Sequence, residues 1–347
     1  MYSTGREGRR LRRIGRAGAL IAAGVIVLLA GCATVPSPEE VYLDHYLAAD
    51  QSAYFAVNVA DNQDLFHYIA GELEIDVGAV IGRINHLAGS YGASGVAELT
   101  AISDSVGETD PAAMPRLPVL VVVASGNIPA GGTRFVLWKE RDFKRTVGEV
   151  GDKRVVYFRQ RSGMLEIAPI KDNLIIVTSG SVLSHLARVQ PEEEGSMDAP
   201  PRNILDPYTT ERIRAVGEPD APDSLLVFTD PAMLLVTRGV EVPGFPIQGV
   251  TLGALLPTPT HDEEESVGEL RGELTGELLL STAREAALFG RLSRLFVLGL
   301  VRSLGLDSSD LRSELVISVE DRKVAFRGIP VSVDQLVLLL RGVTEVP

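Results

Sequence analysis

The chain has 347 residues, 45% of them hydrophobic, and a formal net charge of −13 at pH 7. This length and hydrophobic fraction are enough for a folded core and for two domains, and they exclude a mainly disordered chain. The acidic balance repels phosphate backbones, so we expect no nucleic-acid partner. A single cysteine excludes an intramolecular disulfide.

Residues 1–31 have the layout of a secretory signal peptide. Six arginines lie between Arg6 and Arg16, against one acid, Glu7, and an uncharged stretch then runs from Ala17 to Gly31. This stretch has about 15 residues, whereas a membrane-spanning helix needs roughly 20. A cleaved signal is therefore favoured over a permanent transmembrane helix.

The end of this segment, Leu29, Ala30, Gly31 and Cys32, resembles the lipobox of bacterial lipoproteins. The resemblance implies that a diacylglycerol is attached to the Cys32 thiol, that the chain is cut before Cys32, and that the new amino terminus carries a further acyl chain such as palmitate. More than one chain makes such an anchor stable. An unmodified cysteine in an ordinary signal peptide is the alternative.

A short tether is predicted over 32–40, stiffened by Pro36 and Pro38. Ala33, rather than Asp, follows the cysteine. By the same resemblance, this favours a protein held at the outer membrane and facing the periplasm. Residues 1–31 contain six basic residues and one acidic residue, so the mature chain would carry a net charge of about −18.

The remaining chain predicts two α+β domains, 41–189 and 224–347, with a linker at 190–223 that is rich in Pro, Gly and Glu. Each domain is expected to be an antiparallel sheet with helices packed on one face. The hydrophobic spacing in the first domain predicts strands at 53–60, 95–102, 119–125, 154–160, 165–169 and 174–178, and helices at 62–73, 77–88, 133–147 and 181–189. Residues 135–138 also fit a strand.

A short helix is predicted within the linker at 209–215. In the second domain we predict strands at 224–229, 249–256, 270–280, 314–319 and 324–328, and helices at 231–237, 282–304 and 332–341. Both domains end in a strand, a charged turn, a strand and a short helix, over 164–189 and 314–343. This similarity predicts an internal duplication, with chance likeness of two α+β domains as the alternative.

The helix at 282–304 is apolar over most of its circumference. Its four arginines, Arg284, Arg291, Arg294 and Arg302, fall within about 80° on a helical wheel. Four arginines exclude a membrane-spanning helix. We expect a core helix with one solvated stripe; a helix that lines a lipid-binding groove or faces a membrane is the alternative.

The chain carries no motif that predicts catalysis, a metal or a cofactor, so we expect no enzyme. The five histidines, His45, His67, His86, His185 and His261, have no zinc-site spacing. No nucleophile elbow, Walker loop or dinucleotide fingerprint occurs. The glycine-rich stretch 126–132 is interpreted as a turn, with an anion cradle as the alternative. The acidic runs 192–194 and 262–265 lack the spacing of a calcium loop.

The body resembles the two-domain envelope lipoproteins of spirochaetes in its layout. The features that carry the resemblance are the strand ending in Ser125-Gly126-Asn127-Ile128-Pro129 and the closing strand-turn-strand-helix unit. The resemblance implies an envelope protein and no particular activity. We predict a lipid-anchored protein that binds or scaffolds an envelope protein partner. A carrier or sensor of a hydrophobic ligand, in a groove beneath helix 282–304, and a hydrolase with an unrecognised site are the alternatives.

Overall fold

The structure is a computed structural model that describes residues 42–49, 51–72, 81–92, 119–163, 165–189, 205–216, 218, 222–229, 247–255, 271–303 and 315–335. The signal segment, the lipobox with Cys32 and the tether lie outside the described residues. So do the predicted strand 95–102, the predicted helix 231–237 and most of the predicted helix 332–341.

The described residues form twelve strands in one antiparallel sheet. The strands are β1 (Ala53–Asn58), β2 (Ile84–Gly92), β3 (Val119–Gly126), β4 (Phe143–Val150), β5 (Lys153–Gln160), β6 (Glu166–Lys171), β7 (Leu174–Thr178), β8 (Ser224–Phe228), β9 (Ile247–Leu255), β10 (Arg271–Leu280), β11 (Val316–Glu320) and β12 (Lys323–Ser332). Their order across the sheet is β11-β12-β10-β9-β8-β1-β2-β3-β7-β6-β5-β4.

The single sheet corrects the prediction of one sheet for each domain. In two separate sheets, β1 and β8 would both be edge strands with unpaired backbone groups. In the structure they are neighbours, so each supplies hydrogen-bond partners to the other. Side-chain alternation shows which residues form strands but does not show which strands lie side by side, so the sequence could not reveal this pairing.

Five α-helices accompany the sheet within the described residues. They are α1 (Gln63–Glu72), α2 (Ala130–Lys139), α3 (Val182–Val189), α4 (Pro207–Ala215) and α5 (Ala283–Ser303). Short 3-10 turns cover Leu43–Tyr46, Ala60–Asn62 and Ile81–Arg83, and the backbone is helical again at 333–335.

Two predicted helices are wrong in whole or in part. Most of the predicted helix 77–88 that is described belongs to β2, where a Cβ on Gly89 would overlap the ring of Phe55 on β1. The predicted helix 133–147 ends at Lys139, and Glu140 is already extended. β-branched Thr146 and Val147 then lie in β4. In both places the pairing of strands overrides a spacing that also fits a helix.

The chain divides into two compact units. The α5 unit lies within Val57–Gly82 and Ala215–Pro347, and the α2 unit lies within Leu28–Ala56 and Arg83–Arg214. The units therefore interleave along the chain. In the α5 unit, Leu65 of α1 packs on Val333, and the Tyr68 hydroxyl donates to Asp334 at 2.7 Å.

Each unit has a packed core. All five residues of β7 are buried, and because successive strand residues point to opposite faces, both faces of the sheet are covered there. α3 covers one face, since a Cβ on Gly148 of β4 would overlap Leu183. In the α5 unit, α5 packs against β10, β11 and β12.

Candidate functional site

The candidate site is the outer face of α5. A local hydrogen-bonded motif caps the start of this helix. The Thr282 hydroxyl accepts a hydrogen bond from the Glu285 backbone N–H at 3.2 Å and donates to Glu285 Oε2 at 2.9 Å. A threonine with a glutamate three residues later is the sequence pattern of a capping box. Here the threonine satisfies one of the amide groups that a helix start leaves unpaired, and the glutamate holds the threonine hydroxyl.

Three leucines lie on that outer face. Leu288, Leu292 and Leu295, spaced four and then three residues apart, are 48%, 50% and 72% exposed. This spacing places them in one stripe along the helix. Arg284 and Arg291 are exposed and border the stripe on one side. We call these five residues the α5 face: an apolar stripe with a cationic border on an acidic chain.

The inner face of α5 is filled. Ala286 and Phe289 are buried in a cluster with Leu278, Leu280 and other core residues. Val297 is buried in a second cluster with Phe326, Ile329 and Val331. Core side chains therefore pack against the described part of the inner face.

The sequence predicts the arginine stripe on this helix but not the leucines within it. Arg284, Arg291 and Arg294 are exposed, as expected, and the Arg302 side chain lies outside the described residues. The exposure of these leucines could have been predicted, because on a helical wheel Leu288 and Leu295 fall close to Arg284 and Arg291. Apolar residues in the solvated sector of a helix mark an exposed face and not a core.

A second exposed face lies on α2 and contains aromatic residues. Phe135 is 52% exposed, and Trp138, the only tryptophan of the chain, is 65% exposed. Their ring centroids are 6.2 Å apart. The Lys139 ammonium lies 4.3 Å from the centroid of the Phe135 ring, a distance at which cation and ring attract. The opposite side of α2 is buried through Thr133 and Leu137.

The glycine-rich stretch before α2 is a turn and not an open anion cradle. Asp172, in the turn between β6 and β7, accepts a hydrogen bond from the Ala130 backbone N–H at 2.8 Å. The Asn127 backbone N–H donates to the Arg83 carbonyl oxygen at 2.7 Å. A carboxylate of the chain itself therefore occupies the helix start, where an anion is favourable.

The first described residues pack on the α2 unit. Asp44 is buried, and its Oδ2 lies 2.7 Å from Arg214 Nη2 on α4; this hydrogen bond raises the pKa of Arg214. His185 of α3 is buried, and its Nε2 lies 2.8 Å from the Tyr46 carbonyl oxygen. Burial lowers the pKa of His185 to about 4, although the bond to Tyr46 opposes this shift. The segment that follows the tether is thus fixed to the α2 unit.

The remaining predicted site residues do not come together in the described part of the chain. Leu29, Ala30, Gly31, Cys32 and His261 lie outside it. His45 is exposed beside Arg214, while His67 on α1 and His86 on β2 are exposed as well. Among the described residues, no group of three His, Cys, Asp or Glu side chains could hold a metal ion. No described helix is long and apolar enough to cross a membrane.

Comparison with known proteins supports the fold. No protein-family model matches this chain, and no curated protein matches it. Two solved structures, crystal forms I and III of TP0453 from the spirochaete Treponema pallidum, are similar to it, each with a TM-score of 0.50 and 14% sequence identity. They cover 88% and 87% of this chain, and each is itself covered to 98%. At this identity the chain shares the α+β fold of a spirochaete protein.

Proposed function

We propose that this chain is a lipid-anchored protein of the bacterial cell envelope that binds or scaffolds a protein partner and has no enzymatic activity. The lipobox at Leu29–Cys32 supports the anchor, and Ala33 rather than Asp after the cysteine supports an outer-membrane position facing the periplasm. The likeness to TP0453, a spirochaete envelope protein, supports the envelope. The α5 face carries the binding role.

The chemistry of the α5 face supports a protein partner with a matching surface. Its three leucines are about half exposed or more, and an exposed apolar patch with a polar border marks an interaction site. The bordering Arg284 and Arg291 attract acidic groups, which steers association and excludes basic partners. The partner surface would therefore combine apolar and acidic side chains.

The structure offers less support for the alternatives. A carrier of a hydrophobic ligand needs an apolar cavity of several hundred Å³, whereas the described inner face of α5 packs against core side chains. A hydrolase needs converging reactive groups, and the exposed His45, His67 and His86 lie on separate elements. We therefore propose neither.

The experiment that tests the binding role compares two matched pairs of substitutions. Leu292→Ser with Leu295→Ser removes the two most exposed of the three leucines of the α5 face. Phe135→Ser with Trp138→Ser removes as many exposed apolar side chains from α2. Each form is purified from membranes in mild detergent after cross-linking, and the co-purifying proteins are quantified by mass spectrometry.

We expect one stoichiometric protein partner with the native chain. The α5 pair should lose it at unchanged folding stability, and the α2 pair should retain it. Retention of the partner by the α5 pair would contradict the proposed face. A stoichiometric small hydrophobic ligand without any protein partner would favour the carrier instead.

We further propose that the two units arose by duplication of one strand-helix unit. The strand order supports it: β1-β2-β3-β7-β6 runs in one direction and β8-β9-β10-β12-β11 in the other. A helix follows the third strand of each run, α2 in one and α5 in the other. The β4–β5 hairpin would then be an addition to the first copy. Superposition of the two five-strand runs tests this, and unrelated paths after superposition would contradict it.

A further inference from the structure

Strand β4 lies at one end of the sheet in the described part of the chain, where β5 is the strand beside it. The outer side of β4 therefore has no partner strand among the described residues. Such an edge can accept a further strand, and proteins often protect it with charged side chains. β4 carries three exposed charged residues, Lys144, Arg145 and Glu149. Their spacing decides what the edge can accept.

The backbone groups of Arg145, Val147 and Glu149 point to the open edge. In an antiparallel ladder, alternate residues direct their backbone groups to opposite sides of the strand. The Asp142 carbonyl oxygen points toward β5, since it accepts the backbone N–H of Arg161, directly after β5, at 2.8 Å. Counting in steps of two from Asp142, the even-numbered residues of β4 serve β5. The odd-numbered residues are left to pair outward.

These outward residues make the edge complementary to itself. When two identical strands pair antiparallel and centre on Val147, Arg145 of each copy lies opposite Glu149 of the other, because each is two residues from the centre. Opposite charges in such positions stabilise a strand pair, and here the pair occurs twice. The same register aligns residues 144–150, almost the whole strand. A two-fold axis of this kind is the commonest symmetry of protein dimers.

Both charged side chains are available for this pairing. Arg145 and Glu149 are exposed, and within the described part of the chain neither forms an ion pair. Glu149 lies opposite Arg154 in the ladder between β4 and β5, so in the dimer it would lie between two arginines. The charges also select the register, because strands centred on Arg145 would place the two copies of this arginine opposite each other.

We propose that β4 pairs with β4 of a second copy of this chain, antiparallel and centred on Val147, so that the sheet continues across a two-fold axis. The surface is a strand edge in the α2 unit and is separate from the α5 face. The pairing needs neither the lipid anchor nor the partner proposed for α5, so failure of either leaves it standing.

Charge reversal tests the register. Arg145→Glu replaces both Arg–Glu pairs by like-charge pairs, and adding Glu149→Arg restores them in the opposite sense. Arg327→Glu, at an exposed position of β12, changes the net charge of the chain equally and is the control. The full chain is purified in mild detergent, with micelles in excess so that two copies do not share one. Sedimentation then gives the dimer dissociation constant, and thermal unfolding shows that each variant is folded.

We expect a dimer of the native chain. Arg145→Glu should weaken it roughly ten-fold or more, because two favourable cross-strand pairs become two repulsive ones. The double variant should recover most of this loss, and Arg327→Glu should change the dissociation constant little. This pattern separates a local charge pair from the general repulsion between two acidic chains.

A cysteine at the centre tests the contact itself. Val147→Cys places two thiols beside the two-fold axis, with Cα atoms about 5.5 Å apart, which a disulfide can bridge. Val316→Cys on β11, at the other end of the described sheet, is the control for random collision, since Val316 is 47% exposed. The parent chain shows any reaction of an unmodified Cys32. Under mild oxidation, we expect a linked dimer from Val147→Cys and not from the other two.

Three outcomes would overturn the pairing. The first is a native chain that sediments as a monomer at every concentration. The second is an equal effect of Arg145→Glu and Arg327→Glu on the dimer, which would remove the charge register. The third is a Val147→Cys chain that links to a different protein and not to itself, which would assign the β4 edge to another partner.

Discussion

The helices α2 and α5 hold the same place in their strand runs and differ in what they present to solvent. α2 has 10 residues and α5 has 21, and each follows the third strand of its run. Both bury a stripe through residues such as Leu137 and Phe289. Outward, α2 presents two aromatic rings with a lysine, while α5 presents leucines with arginines. The buried sides of the two helices are therefore alike in character, whereas their outer sides differ in chemistry.

The largest effect should come from emptying the buried side of either helix. Phe289→Ala on α5 and Leu137→Ala on α2 remove side chains that are 1% and 0% exposed, so each should lower the free energy of unfolding by about 2–5 kcal/mol. Leu295→Ala, at 72% exposure, should change it by less than about 0.5 kcal/mol. Urea titration followed by circular dichroism measures all three. A large loss at Leu295 would mean that the outer face of α5 is part of the core.

Acid should weaken the α2 unit before the α5 unit. The pKa of buried His185 is lowered to about 4 by burial, against an ordinary value of about 6.5. As the pH falls, His185 therefore binds its proton in the unfolded chain before it does so in the folded chain. This stabilisation is complete above pH 6.5, and up to about 3 kcal/mol of it is lost as pH falls toward 4. His67, in the α5 unit, is exposed.

The acid effect can be read by two probes and one substitution. Trp138 fluorescence reports unfolding of the α2 unit, and amide hydrogen exchange reports both units. His185→Gln should flatten the slope of stability against pH between 4 and 6.5, at some cost in stability at neutral pH. An unchanged slope in this variant would assign the acid sensitivity to other groups.

The first turns of α2 and α5 are capped by different parts of the chain, one distant and one local. Asp172→Ala removes the acceptor of the Ala130 N–H from another part of the chain, and Thr282→Ala removes the local cap of α5. Each should cost about 1 kcal/mol, within the range of 0.5–2 kcal/mol that capping residues contribute. Thermal unfolding measures both. Asp172→Asn should lose less stability than Asp172→Ala, since the amide oxygen of Asn can still accept the hydrogen bond. Equal losses of stability with Asn and Ala would show that the negative charge is what stabilises the helix start.

The smallest effect should come from two glycines of α5 that differ in surroundings. A Cβ at Gly299 would meet no atom of the described residues within 4 Å, so Gly299→Ala should stabilise the chain by about 0.5–1 kcal/mol through helix propensity. A Cβ at Gly290 would overlap Val319 of β11, so Gly290→Ala should destabilise it. Denaturant midpoints measure the pair. Stabilisation by both would mean that β11 moves freely away from α5.

Local motifs of this fold can be predicted from the sequence, whereas contacts between distant segments cannot. The capping box of Thr282 and Glu285 is local, so the start of α5 is readable from the sequence to within one residue. The cap of α2 comes from Asp172, which lies 42 residues from Ala130, and no local pattern shows it. The same contrast explains β2: its helix-like spacing gives way to pairing with β3, which begins at Val119.

The exposed faces likewise include features that could be predicted from the sequence and features that could not. The arginine stripe of α5 follows from the spacing alone, and the exposed leucines within it could have been read from the same helical wheel. The exposure of Phe135 and Trp138 could not be predicted from the sequence. It depends on where α2 ends, at Lys139, and on which side of α2 packs against β4 and β6. The joining of β1 and β8 into one sheet likewise depends on contacts between distant segments.

The most direct test of the account is the mass of the mature chain purified from membranes. We predict that the first residue is Cys32, that its thiol carries a diacylglycerol, and that its amino group is acylated. The Cys32→Ala form should lack the adduct and retain residues 1–31. A native chain that keeps its signal segment, or a Cys32 peptide of unmodified mass, would contradict the lipid anchor and with it the proposed envelope function.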